Sequence, residues 1–234
     1  MATPQSTEHI GMLLFPRMTQ LDFTGPYEVF ARLPGATVHV TSSTLDPVKT
    51  DRGLMLGPTT TYADCPQLDV IVVPGGPGQQ ELMEDATVLD FLRRQAVGAK
   101  WVTSVCTGAL VLGAAGLLTG YRATTHWMSL PLLSLLGATP VEERVVVDRN
   151  RITGGGVTAG IDFGLFVAAT LRGEAVAQQI QLQIEYNPAP PFQSGSPRTA
   201  PPAVVTALRT ASEAMQTKRR ATCEAIAKRR GKTA

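Results

Sequence analysis

In KWVTSVCTGALVLGAAGLL, residues 100–118, one thiol stands where a β-branched run gives way to glycine and alanine. The run predicts a strand ending at Val105, and the small residues predict a helix from about Thr107, which leaves Cys106 alone in a sharp turn between the two. Such an elbow presents a side chain at the end of a sheet; Gly108 permits the tight passage and Ala109 keeps it uncrowded. The unpaired N–H groups and positive dipole end of the following helix favour thiolate over thiol, so a nucleophile is physically reasonable. The plainer reading is a small buried core residue, as free cysteines often are, and the local pattern alone leaves both open.

Four other segments carry chemistry-bearing residues. FPRMTQLDFTGPYEVF, residues 15–30, sets Asp22 just ahead of a helix whose first turn contains Pro26. An aspartate there is ordinarily a turn or capping residue. If the first strand neighbours the thiol strand, however, its carboxyl reaches Cys106, and the two then share a proton as a coupled pair. PGGPG, residues 74–78, follows a buried strand and offers backbone donors from Gly75 and Gly76 to charge developing on a substrate. It does not match the dinucleotide pattern, and a tight turn is its default reading. In TGGGVTAG, residues 153–160, Gly155 and its neighbours either let backbone approach a ligand or serve helix–sheet packing. His126, in ATTHWMS, shows no evident Cys–His geometry and reads as a hydrogen-bonding residue beside the candidate pocket.

The elements that must position these residues alternate: short Val- and Ile-rich runs, then longer helical patterns. Strands are expected at 9–15, 37–43, 68–73, 100–105, 144–148 and 151–153. Helices are expected at 25–33, 79–84, 87–97, 107–115, 128–135, 158–171, 174–185 and 203–230. The runs LDVIVV and WVTSV lack polar alternation, as central strands buried on both faces do. This predicts an α/β fold: a doubly wound, mostly parallel sheet sandwiched by helices, flavodoxin-like, with ligands bound beyond the carboxyl ends of the strands. The domain organisation expected is an α/β domain over 1–186, a Pro-rich linker over 187–202 and a basic C-terminal helix over 203–234. Val204, Leu208, Ala211 and Met215 lie at helical spacing, so the first half of that helix is expected to dock and the charged second half to fray.

With 44% hydrophobic and 17% charged residues, the 234-residue chain suits a globular fold with a sizeable core. The start lacks a basic-then-apolar leader, and the longest weakly polar stretch is too short to span a bilayer, so a cytoplasmic protein with no membrane partner is expected. Three well-separated cysteines suit neither a disulfide framework nor a thiolate metal site. Residues 198–234 hold nine Lys/Arg against two Asp/Glu, while 1–197 hold twelve against seventeen. A basic tail can mark nucleic-acid binding, but no aromatic residue interleaves these charges, and a solvated face or an arm on an acidic neighbouring subunit explains them better.

Taken in order and spacing, LDFTGPYEVF, DVIVVPGGPG, VTSVCTGALVLGAAGLLTG, RATTHW and TGGGVTAGIDFGL resemble the ThiJ/PfpI group of the class I glutamine amidotransferase-like superfamily, over residues 9 to about 186. Within that group, Thr after the nucleophile and Asp in the first loop are similar to the isonitrile (isocyanide) hydratases; the protease-like and deglycase-like branches place His and usually Glu there. The resemblance implies hydration of isocyanides to N-substituted formamides. Cys106 would attack to form an S-linked thioimidate, Asp22 would act as general acid and then base, and Thr107 would orient water or the carboxyl group. Gly75, Gly76, His126 and Gly155 would line the substrate. It also implies a homodimer using no metal or organic cofactor, with an isocyanide and water as partners. The competing readings are a noncatalytic sensor domain related to AraC-type regulators, or another thiol-dependent hydrolase or lyase. The one predicted helix after the Pro-rich loop falls short of a helix-turn-helix.

Overall fold

The computed structural model describes residues 7–231. Its elements run β1 (Glu8–Leu13), α1 (Gln20–Phe30), β2 (Ala36–Ser42), β3 (Val48–Lys49), β4 (Met55–Leu56), β5 (Thr60–Thr61) and β6 (Val70–Val73). They continue with α2 (Gln79–Leu82), α3 (Ala86–Gly98), β7 (Trp101–Val105), α4 (Gly108–Ala114), β8 (Arg122–Ala123), a 3₁₀ turn (Trp127–Ser129) and α5 (Leu132–Leu135). The last are β9 (Thr139–Pro140), β10 (Val145–Asp148), β11 (Arg151–Gly154), α6 (Ala159–Arg172), α7 (Glu174–Gln183) and α8 (Pro202–Gly231).

Seven strands form one sheet in the order β10-β11-β7-β6-β1-β2-β5. All neighbours pair parallel except β10, which joins β11 antiparallel. The chain leaves β1 toward β2 and leaves β6 toward β7, in opposite directions across the sheet. Because strand–helix–strand crossovers are right-handed, α1 and α3 must then cover opposite faces. Accordingly α1 packs on α6 and α6 on α7, while α3 packs on α4. The winding reverses between β1 and β6, which opens a crevice at their carboxyl ends. Val70–Val73 is buried throughout, as a strand covered on both faces must be. Phe30 of α1 meets Phe163 of α6 edge-on, with ring centroids 6.2 Å apart.

Four local expectations are corrected. Helix α1 begins at Gln20, five residues earlier than expected, so Asp22 lies inside its first turn and Pro26 in its interior. Proline's preference for a helix start misplaced that boundary, because α1 tolerates the lost N–H further along. Strand β1 does not neighbour β7; β6 lies between them. The single helix expected over 128–135 is a 3₁₀ turn and a separate α5, divided at Pro131, which has no N–H to carry the ladder across. Finally, the two halves of α8 exchange roles. Val204, Leu208 and Met215 in the first half are exposed, whereas Arg219, Thr222, Cys223 and Ile226 in the second are buried. The second half packs on α5 and the 3₁₀ turn. Arg230 fastens its end by donating to the carbonyl oxygens of Ala114 at 2.7 Å and Leu136 at 3.3 Å, and to that of Gly113.

Candidate active site

Parallel strands converge their carboxyl ends, and three of the connections that follow meet in the crevice. Cys106 follows β7 directly and holds φ at +53°, the left-handed region a β-carbon normally avoids, as an elbow between strand and helix demands. The strain is held from several sides. Its N–H donates to the carbonyls of Gly155 at 2.8 Å and Gly154 at 3.1 Å, and its own carbonyl accepts from Thr125 Oγ1 at 2.6 Å. Gly108 is obligatory, since a β-carbon there would lie 2.0 Å from the Val73 carbonyl oxygen.

Asp22 reaches the same point from α1 and is fully buried. Its Oδ2 accepts from the Gly75 N–H at 3.0 Å, while Oδ1 finds no ordinary partner. Its carboxyl also faces the Cys106 thiol closely enough for each group to shift the other's ionisation. Burial outweighs both contacts, with Asp51 adding like-charge repulsion, and lifts the carboxyl to about 7. The thiol is pushed upward in turn, first by burial and then by the facing carboxylate, whereas the Thr107 amide and the Arg219 guanidinium pull it down. The two groups therefore form one coupled acid–base pair.

Thr107 immediately precedes α4 and is buried; its Oγ1 does not cap the helix but accepts from the Gly76 N–H at 3.0 Å. The Gly75 and Gly76 amides of the PGGPG loop are thus taken up by the Asp22 and Thr107 side chains. Neither N–H stands free as a donor to a substrate, although Gly76 still lines the cavity above the sulfur. Gly75 has a steric role as well. A β-carbon there would come within 2.7 Å of Asp22 Oδ2 and 2.6 Å of Thr107 Oγ1, so only glycine lets acid and hydroxyl flank the thiol together. Gly155 holds the elbow through its carbonyl, and its own N–H donates to the Arg144 carbonyl at 2.9 Å.

A cavity of about 280 Å³ opens above the sulfur, lined by Cys106, Thr107, Gly76, Thr19 and His126 on the sheet side and by Met215, Gln216 and Arg219 of α8 on the other. His126 is neutral at physiological pH: burial, reinforced by Arg219, pushes it down to about 4. It makes no hydrogen bond to Cys106 among the described residues. Among these residues no cluster of three or more His, Cys, Asp or Glu is arranged to hold a metal. Cys65 and Cys223 are also free thiols, each lifted by burial to about 11.

Sequence reading missed the contribution of α8, above all Arg219. It stood within a basic run and read as solvated. A signal was present: Met215, Arg219, Thr222, Cys223 and Ile226 recur at helical spacing and make one face, on which Arg219 lies between apolar residues.

A strained cysteine elbow at the switch point of a doubly wound sheet, facing a buried acid from the first turn of α1, is the arrangement of an α/β enzyme with a nucleophile elbow. The chain belongs to the DJ-1/PfpI family, whose model matches residues 8–170. It is 62% identical over 192 residues to an isonitrile hydratase of Pseudomonas putida, covering 82% of this chain and 84% of that one. A ThiJ/PfpI family protein from Pseudomonas syringae shares its structure with a TM-score of 0.91 at 46% identity, covering 95% of this chain and 91% of that one. The HTH-type transcriptional regulator GbdR of Pseudomonas aeruginosa is 30% identical over 78% of this chain but only 51% of its own length.

Proposed function

We propose that this protein hydrates isocyanides to N-substituted formamides, with Cys106 as nucleophile and Asp22 as the proton carrier. The observation that carries the reading is the fully buried Asp22 carboxyl facing the Cys106 thiol, lifted by burial to about 7, where it can both accept and return a proton at neutral pH. The 62% identity to an isonitrile hydratase supplies the substrate class.

The chemistry balances without a further reactant. As the Cys106 sulfur bonds to the terminal isocyanide carbon, the thiol proton passes by way of Asp22 to the substrate, giving a thioimidate in which that carbon carries one hydrogen and a double bond to nitrogen. Water then adds to this carbon. Asp22 relays a proton from the water to the nitrogen, and the resulting tetrahedral adduct collapses by expelling sulfur as its hydroxyl proton passes by way of Asp22 to Cys106. The formamide leaves, and Cys106 regains its proton. Thr107, fixed by the Gly76 amide, orients the carboxyl or the water, and His126 and Gly76 contact the substrate as cavity walls. Gly75 and Gly155 act by holding Asp22 and the elbow in place.

The reading includes a homodimer, supported by the exposed apolar stripe of Val204, Leu208 and Met215 on α8. It also includes an α/β domain to residue 186, joined by a Pro-rich linker over 187–202 to a basic helix from 203; residues 1–6 and 232–234 of these spans lie outside the described residues. A reducing, cytoplasmic setting is supported by three free cysteines. No helix among the described residues is long and apolar enough to cross a membrane.

Incubation with a simple alkyl isocyanide in ¹⁸O-labelled water tests the activity. One labelled oxygen is expected in an N-alkylformamide whose formation depends on intact protein; an isocyanide that persists at its uncatalysed rate would overturn the proposal.

A further inference from the structure

Arg219 enters the nucleophile cavity from the opposite end of the chain and is 3% exposed. Its hydrogen-bond partners are all neutral. Nη1 donates to Ser129 Oγ at 3.0 Å, and Nη2 lies 3.6 Å from Met215 Sδ. With the Gln79 amide turned to satisfy both its ends, Nε donates to the Gln79 side-chain oxygen at 2.8 Å. No carboxylate forms an ion pair with Arg219 among the described residues. A guanidinium removed from water is costly unless an anion compensates it. Burial pushes the Arg219 guanidinium down, and negative charge on the Cys106 or Cys223 sulfur works in the opposite direction.

The other titratable and charged groups that face Cys106 do not supply this charge. Asp22 of α1 and Asp51 of the β3–β4 turn are acids, and His126 is held neutral. Arg52 of the same turn is 85% exposed, and its Nε lies 3.9 Å from Asp51. We propose that Arg219 is a positioning residue for the Cys106 reaction: docking of α8 brings its guanidinium over the cavity, where it stabilises negative charge on the Cys106 sulfur. The assignment rests on Cys106 being the nucleophile. It assigns the C-terminal helix an electrostatic role in the site beyond closing it.

The test measures alkylation of Cys106 by iodoacetamide against pH in the full chain, read on the Cys106 peptide by mass spectrometry, so that it does not depend on isocyanide turnover. Arg219→Gln is expected to move the profile to higher pH and to slow alkylation by roughly tenfold at a fixed pH below it, the effect of losing one nearby opposite charge. Arg219→Lys should restore most of the rate. Arg230→Gln loosens the far end of α8 while leaving Arg219 in place, and should keep the wild-type profile. In the same Arg219→Gln protein, the His126 titration followed by NMR should rise from about 4 toward its ordinary value. If Arg219→Gln does not fold, Arg219→Met, which keeps the apolar stem, carries the same comparison. A charge-free variant whose Cys106 profile overlays the wild type would overturn the proposal, as would Arg230→Gln reproducing the full displacement. Absent isocyanide hydration accompanied by the displaced profile would instead count against the substrate assignment and leave Arg219's role standing.

Discussion

Between the ordinary aspartate value of 3.8 and about 7, folded Asp22 holds a proton that the unfolded chain has already released. The folded state binds more protons across that window, so Asp22 makes stability fall as pH rises through it, with the full penalty present above about 7. Asp22→Asn keeps the shape and removes the ionisation. Its denaturant unfolding curves should match the wild type near pH 4 and show the variant more stable at pH 8, by up to about 4 kcal/mol. The same variant should lose about a hundredfold or more of isocyanide hydration, since proton transfer by a positioned group contributes on that scale. Equal stability of the two proteins at both pH values would show that the carboxyl is ordinarily ionised in the fold. Cys106, Asp22 and Thr107 were legible in the sequence as candidates, because the strand–thiol–small-residue pattern marks an elbow even though it leaves a buried core cysteine open. The assignment of their backbone partners was not. Gly75 and Gly76 read as donors to a substrate, and only tertiary geometry shows their amides spent on Asp22 and Thr107.

The helices and strands divide by how locally they are determined. The major strands and α3, α4, α6 and α7 were legible because unbroken Val/Ile runs and 3.6-residue periodicity report burial directly. The two-residue strands β3, β4, β5, β8 and β9 were not, because pairs of residues carry no period and are made by their partners. Helix α8 was misread for a related reason. Its first half has the cleaner apolar stripe, but its second half meets α5 and the 3₁₀ turn, and a helix docks where a surface faces it. Ile226 is 5% exposed in that contact. Ile226→Ala should therefore cost the docked half about 2–4 kcal/mol. Hydrogen exchange should accelerate through residues 219–230 while β6 and β7 stay protected. Uniform acceleration across the sheet would mean that α8 does not unfold as a separate unit.

For the whole molecule, sheet order decides which chemistry is possible. Strand β6 separates β1 from β7, yet Asp22 still reaches Cys106, because the reversal of winding brings the connections after β1, β6 and β7 to one crevice and α1 carries the acid across it. The α8 stripe that remains exposed makes a prediction at the same scale. Light scattering should give twice the 24.9 kDa chain mass, and Leu208→Glu should shift it toward the single-chain value; a monomeric wild type would remove the dimer from the account. The central claim is covalent hydration by the Cys106–Asp22 pair. It is tested most directly by rapid quenching of protein mixed with an isocyanide, followed by peptide mass spectrometry of wild type and Cys106→Ala alongside formamide formation. The account predicts a mass increase of one isocyanide on the Cys106 peptide that decays as formamide appears, with neither adduct nor product in the variant. Formamide produced by Cys106→Ala at the wild-type rate would contradict it.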